Sequence, residues 1–247
     1  MYRELWNIMN ENSHTPTGKF LTIVACNTDS MLKLESTTTN IKNYLCFPNN
    51  DIIVIDSEDA TFGAQLNENI KFVIKQHYLI PNDKYCDFGK WCYVLKNSEC
   101  DYSTYDSVIF LNDSVSIKNS INHFYNIVTK TDVELYAYND TKDRIYIEQP
   151  DVYHYQSYLF SIKPSSCNKL IRFLDNNKVH INSFLDLIQH IEIPLLNIFD
   201  KKDCFLKLAN NPSHSKNIFF HNDNLYKRLF INNLLPFIKI KRITSQQ

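Results

Sequence analysis

Three polar clusters, each set directly behind an apolar run, are the residues of this chain whose type and spacing can do chemistry. Asn27-Thr-Asp-Ser30 follows Lys19-Phe-Leu-Thr-Ile-Val-Ala-Cys26, and Asp56-Ser-Glu-Asp59 closes the run that starts at Asp51. Asn112-Asp-Ser114 follows Tyr105-Asp-Ser-Val-Ile-Phe-Leu111. Short apolar, β-branched runs of this kind read as buried strands. In an open α/β sheet a ligand lies beyond the carboxyl ends of the strands. Asn27, Asp56, Asn112, Asp113 and Ser114 should therefore converge on one cleft, an acidic site of the nucleotide-binding type. The chain has only 3 Gly, Gly18, Gly63 and Gly89, so neither a P-loop nor a dinucleotide fingerprint can be assembled. A nucleotide must then be held by side chains, ordinary backbone amides or a metal.

Helical stretches alternate with these strands. The spacing predicts helices from Leu32 to Leu45, over 66–78 with Leu66, Ile70, Val73, Ile74 and His77 on one side, up to about Asn97, and near 117–129. Further strands are expected at Val133–Tyr138 and Tyr155–Ile162, and helices at about 165–175 and 181–200. Residues 1–18 read as an N-terminal extension, a short helix and a Thr-Pro-Thr-Gly turn. The alternation predicts an α/β fold, a mostly parallel central sheet flanked by helices with right-handed crossovers. No repeat or low-complexity linker interrupts residues 1–247, which are expected to form a single domain.

Composition narrows the function. A net charge of -1 argues against a nucleic-acid partner, which would need a basic surface. No apolar run approaches the roughly 18–20 residues of a transmembrane segment. The 7 Cys form no CxxC pair, and their odd number favours reduced thiols in a cytoplasmic setting over a zinc site or a disulfide framework.

Asp87-Phe-Gly-Lys-Trp91, followed by the strand that ends in Leu111-Asn-Asp-Ser114, resembles the rhamnan synthesis F family of glycosyltransferases. That family shows a DFG-x-W segment and then a strand ending in LNDS. His154-Tyr-Gln-Ser-Tyr158 with Phe160, His190-Ile-Glu-Ile-Pro-Leu195 and Leu235-Pro-Phe-Ile-Lys239 resemble its later blocks, in the same order. The resemblance covers about residues 80–240; before that it is one of strand pattern only. The family continues NDS with Val-Phe-Gly-Pro, whereas Val115-Ser-Ile-Lys118 stands here, so the loop at that place must differ. The resemblance implies a GT-A-like fold and transfer of a sugar, rhamnose or another deoxyhexose, from a nucleoside diphosphate sugar to a glycan acceptor.

Such a transfer passes through an oxocarbenium-like state, and it needs a base for the acceptor hydroxyl and positive charge or dipoles for the departing diphosphate. By the resemblance, Asp113 stands where GT-A enzymes hold Mn²⁺ or Mg²⁺, with the substrate's phosphates completing the coordination. The alternative is that Asn112–Ser114 caps the next helix. Asp87 would bond base or ribose, and Gly89 would let backbone approach the nucleotide or adopt positive φ. Asp56 would contact the nucleoside, or form an Asx turn. Glu192 is the candidate base, with Asp186 and His190 in reserve, unless it bonds backbone or a lysine instead. His154, Gln156 and Ser157 would serve sugar hydroxyls, or only satisfy a strand edge. Lys239 would neutralise the diphosphate, or belong to a solvated Lys239–Arg242 cluster. Two other classes remain. One is a non-catalytic glycan- or nucleotide-binding module, consistent with the single Asp113. The other is a nucleotidyltransferase, which wants a glycine-rich phosphate loop that this chain lacks.

Overall fold

The computed structural model describes residues 15–143, 152–209, 229 and 235–240. The first half alternates as its apolar runs require: β1 (Phe20–Ala25), α1 (Met31–Thr39), β2 (Asn50–Ser57), α2 (Gly63–Ile70), β3 (Gln76–Ile80), α3 (Cys86–Asn97) and β4 (Ser107–Asn112). After a short β5 (Val115–Ile117) and α4 (Asn122–Lys130) come β6 (Leu135–Asp143), β7 (Val152–Tyr155) and β8 (Leu159–Ile162). Helices α5 (Cys167–Asn177) and α6 (Phe184–Leu187) precede β9 (Lys202–Leu206) and β10 (Phe237–Lys239).

The main sheet has the order β3-β2-β1-β4-β8-β6-β7, with β9 also paired to β6. Strands β1 to β4 pair in parallel, β8 is antiparallel to β4 and to β6, and β9 is parallel to β6. The carboxyl ends of β1, β2, β4 and β6 therefore emerge at one rim. Both faces are covered, which is why β1, β2 and β4 are continuous apolar runs rather than alternating ones. Phe20 and Val24 pack on one side with Leu34 of α1, Leu66 of α2 and Phe124 of α4. Leu21, Ile23 and Ala25 pack on the other with Trp91 of α3 and Leu170 of α5.

Four expectations change. The helix over 66–78 ends at Ile70, and Gln76–Ile80 is the edge strand β3. Val73 and Ile74 still pack against the core, so the helical spacing was right about burial and wrong about backbone. The expected strand 155–162 is two strands, β7 and β8, separated by a bend at 156–158. The expected helix 181–200 breaks into α6, a π turn at Ile188–Glu192 and a 3-10 segment at Pro194–Ile198, because Pro194 has no N–H to continue the ladder. The helix expected from about 117 starts at Asn122, since Val115–Ile117 pairs antiparallel with β10. Asn40, in a π turn that extends α1, anchors that ribbon by bonding Val115 O and Ile117 N. Residues 1–14 of the expected N-terminal extension, and Arg242, lie outside the described residues.

Candidate functional site

Strand β4 delivers Asn112, Asp113 and Ser114 to the rim. Asp113 N donates to Ala25 O at 3.1 Å, so the segment is stitched to the end of β1. The carboxylate Oδ2 of Asp113 accepts Asn27 N at 2.8 Å and lies 3.4 Å from Lys33 Nζ of α1. Side chains then form a directional chain. Lys239 Nζ donates to Ser114 Oγ at 2.7 Å, Ser114 Oγ donates to Asn112 Oδ1, and Asn112 Nδ2 donates to Asp87 Oδ2 at 2.8 Å. Lys239 also sits 4.9 Å over the Tyr158 ring. Asn112–Ser114 thus caps no helix.

Asp56 is placed differently from its expectation as a nucleoside contact. It is fully buried, its Oδ1 accepts Thr28 N at 3.1 Å and Ser57 N at 2.8 Å, and its Oδ2 accepts the Thr28 hydroxyl. A Cβ on Gly63 would come within 3.3 Å of Oδ2. Asp56 therefore ties the loop after β1 to the end of β2 from beneath. Lys90, which sequence reasoning did not single out, reaches the same place from α3. It is 3% exposed, and its Nζ donates to Cys26 O at 2.6 Å and to Ser57 Oγ at 2.8 Å. The signal was present in the helical spacing of Asp87, Lys90 and Trp91, which puts all three on one face. Burial raises the Cys26 thiol, as do the charges of Asp56, Asp113 and Asp87, while Lys90 opposes them.

Burial, and then the charge of Asp113, push the Asp87 carboxyl up to about 6, while Lys90, Asn112 and Lys239 pull it down. Burial also raises Asp113, with Lys33 opposing. A carboxyl whose folded pKa exceeds its unfolded value binds its proton more tightly in the native state. Stability then falls as pH rises from about 4 to about 6, and the penalty is complete above that. Asp87→Asn keeps an acceptor for Asn112 and removes the charge. We expect it to stabilise the fold by about 1–2 kcal/mol at pH 7.5 and to be neutral below about pH 4. Urea titrations at the two pH values measure this, and a variant that is less stable at pH 7.5 would refute it.

Gly89 has no positive φ and lies inside α3. A Cβ there would come 2.7 Å from Asp83 Oδ1 and 3.0 Å from Tyr85 Cβ, so the preceding loop, not a ligand, excludes a side chain. On the other flank, Tyr158 O accepts Asn112 N at 3.2 Å, and the Tyr158 hydroxyl donates to Asn139 Oδ1. His154 and Gln156 are buried and bonded to each other at 3.3 Å, with His154 Nδ1 3.1 Å from Val152 O. A proton on Nδ1 satisfies both contacts, which is the strand-edge role for this pair. Ser157 N donates to Glu192 Oε1 at 3.2 Å, so the π turn carrying Glu192 adjoins the rim through the β7–β8 bend. Asp186 instead forms a capping box with Ser183 at the start of α6, and His190 lies against His180 with ring centroids 5.5 Å apart.

The donor set does not fit a resident divalent ion. Mg²⁺ or Mn²⁺ wants several free oxygens. Oδ2 of Asp113 already faces an N–H and an ammonium, and Oδ2 of Asp87 holds an amide. Among the described residues no three His, Cys, Asp or Glu side chains come together around one point.

No family model and no curated protein matches the chain in sequence. The fold is similar to that of the WbbM bifunctional glycosyltransferase in its apo structure, with a TM-score of 0.51 and 9% identity over 90% of this chain and 45% of that one. TarS of S. aureus (residues 1–349, in complex with UDP) gives 0.47 and 10% identity over 75% and 57% of the two chains. HddC from Yersinia pseudotuberculosis gives 0.45 and 12% over 76% and 90%. The fold is the GT-A-like α/β fold; the finer likeness to the rhamnan synthesis F family is untouched by these matches.

Proposed function

We propose that the chain is a glycosyltransferase domain that moves a sugar from a nucleoside diphosphate sugar to a glycan acceptor. The observation that carries this reading is the rim itself. Asp87, Asn112, Asp113 and Ser114 meet Lys33 and Lys239 beyond the carboxyl ends of β1 and β4, and Lys90 is buried beneath them. A sheet of this type binds its ligand there, and the shared fold with WbbM agrees with it.

In the reaction the anomeric carbon–oxygen bond of the donor breaks, and its electron pair stays on the diphosphate. The acceptor hydroxyl forms the new bond and gives up its proton. In this reading Asp87 and Asn27 bond the nucleoside side of the donor, and Lys33 and Lys239 bear on the phosphates. Glu192, on the flank of the rim, is the base. Rhamnose or another deoxyhexose is the sugar that the family resemblance suggests. The competing reading, a binding module without turnover, is favoured by one feature: Asp56, His154 and Gln156 spend their polar atoms on the protein itself. No helix among the described residues is long and apolar enough to cross a membrane.

A thermal-shift panel of UDP-, GDP- and dTDP-sugars, with and without Mn²⁺, tests the proposal. A ligand at about 100 times its Kd adds about 2.7 kcal/mol, which for a domain of this size raises Tm by about 5–10 °C. At least one donor should do so, and the same donor should be consumed when acceptor glycans are added. A shift without turnover would favour the binding module, and no shift with any donor would reject the nucleotide-sugar reading.

A further inference from the structure

We infer that the donor's diphosphate is held by two ammonium groups, Lys33 from α1 and Lys239 from β10, with Lys33 in the place that a divalent cation would take beside Asp113. This rests on the nucleotide-sugar reading and specifies how that site handles charge.

Lys33 Nζ lies 3.0 Å from Asn27 O and 3.4 Å from Asp113 Oδ2. A carbonyl and a carboxylate oxygen are the kinds of ligand that a hard cation selects, so the ammonium sits in a cation's coordination space. Its remaining partner is Asp29, four residues earlier in the loop that precedes α1, at 3.4 Å with the Asp29 side chain 51% exposed. An exposed pair of that kind contributes little and is readily given up. A phosphate arriving at the rim can therefore take the place of Asp29 without stripping Lys33 from Asp113 or Asn27.

Lys239 reaches the neighbouring residue, Ser114. Pairing of Lys239 with Val115 fixes the height of its backbone, and Ile240 N bonds Ser114 O at 3.0 Å. The Tyr158 ring under its Nζ and the Ser114 hydroxyl beside it aim the ammonium along the rim. The two cations thus meet adjacent residues of one polar segment, and together they match the charge of a diphosphate. Lys90 is a different case. It is buried beneath the rim and bonded to Cys26 O and Ser57 Oγ, so it supports the platform rather than the ligand. The chain offers no glycine-rich amide nest that would do this work instead.

The test is calorimetric titration of the full chain with UDP, GDP and dTDP, and with the matching monophosphates, in EDTA and in Mn²⁺. The preferred diphosphate should bind in EDTA and should be clearly preferred over its monophosphate. In Lys33→Met and in Lys239→Met that preference should collapse by about tenfold or more, the effect of losing a charge-assisted contact. Lys33→Arg should restore most of it. Lys33 is partly exposed, and melting curves establish that each variant folds. If Lys33→Met does not fold, the arginine variant and Lys239→Met decide the matter. Binding that appears only with Mn²⁺, or a preference unchanged in the variants, overturns the inference and leaves the nucleotide reading standing. No binding of any nucleotide in either buffer removes both.

Discussion

Trp91→Ala should cost the fold about 3–5 kcal/mol, the range for deleting a fully buried large aromatic side chain. Trp91 is 0% exposed and meets Phe88, Phe110 and Phe160 with edge-on ring contacts at 5.2, 5.5 and 5.4 Å. These contacts join α3 to β4 and β8, so the cavity left by alanine lies between a helix and two sheet strands that cannot collapse independently. Against a total of about 5–15 kcal/mol this is a large fraction. The melting temperature should fall by about 6–20 °C. The indole Nε1 has no hydrogen-bond partner among the described residues, and an unsatisfied buried donor costs about 1–3 kcal/mol. Trp91→Phe gives up area but removes that penalty, and should therefore cost far less than alanine. The same packing fixes the helix that carries Asp87 and Lys90, so Trp91→Ala should also weaken donor binding at temperatures where the variant is still folded. A loss under about 1 kcal/mol for alanine would mean that α3 is held by its other contacts.

How much of this was legible beforehand depends on whether the physical cause was local. β1, β2 and β4 are each sandwiched between helices, so their apolar runs are unbroken, and the rim follows from where the runs stop. Asn112, Asp113 and Asn27 were found in that way. Asp56 was located correctly, but its partners Thr28 and Gly63 come from two other segments. Nothing in its own neighbourhood in the chain says that its oxygens are consumed. Lys33 and Lys90 were overlooked for a related reason. A lysine in a helix is usually a solvated surface residue, and only the docking of α1 and α3 on opposite faces of the sheet turns these two towards the carboxylates. The edge strand β3 failed as a prediction because Val73, Ile74 and His77 satisfy helical spacing as well as they satisfy an extended segment. Gly89 was explained by a ligand or a positive φ when the cause is the crowding of Asp83 and Tyr85, six and four residues away, which spacing alone does not reveal.

Glu192→Gln should leave donor affinity nearly unchanged and reduce transfer to the acceptor by roughly 10²–10⁴-fold, the usual contribution of a positioned base. The substitution is chosen for the one contact that Glu192 makes in the described structure. Its Oε1 accepts Ser157 N at 3.2 Å, and glutamine keeps an oxygen for that bond. The β7–β8 bend, and with it Tyr158 O on Asn112 N, is therefore preserved, whereas Glu192→Ala would remove the anchor as well as the charge. Comparing the two separates the roles. If Glu192 is the base, both variants lose turnover, and Glu192→Gln does so with donor affinity kept. If Glu192 only pins the bend, Glu192→Gln keeps near-normal transfer, and Glu192→Ala alone is impaired, through weaker donor binding. The replacement candidates are then few. Asp186 is occupied in its capping box, and the hydrogen bonds from Asn182 and Ser183 hold its carboxyl below the ordinary range, which makes it a poor base. His190, two residues before Glu192 in the same π turn, would be the next residue to replace.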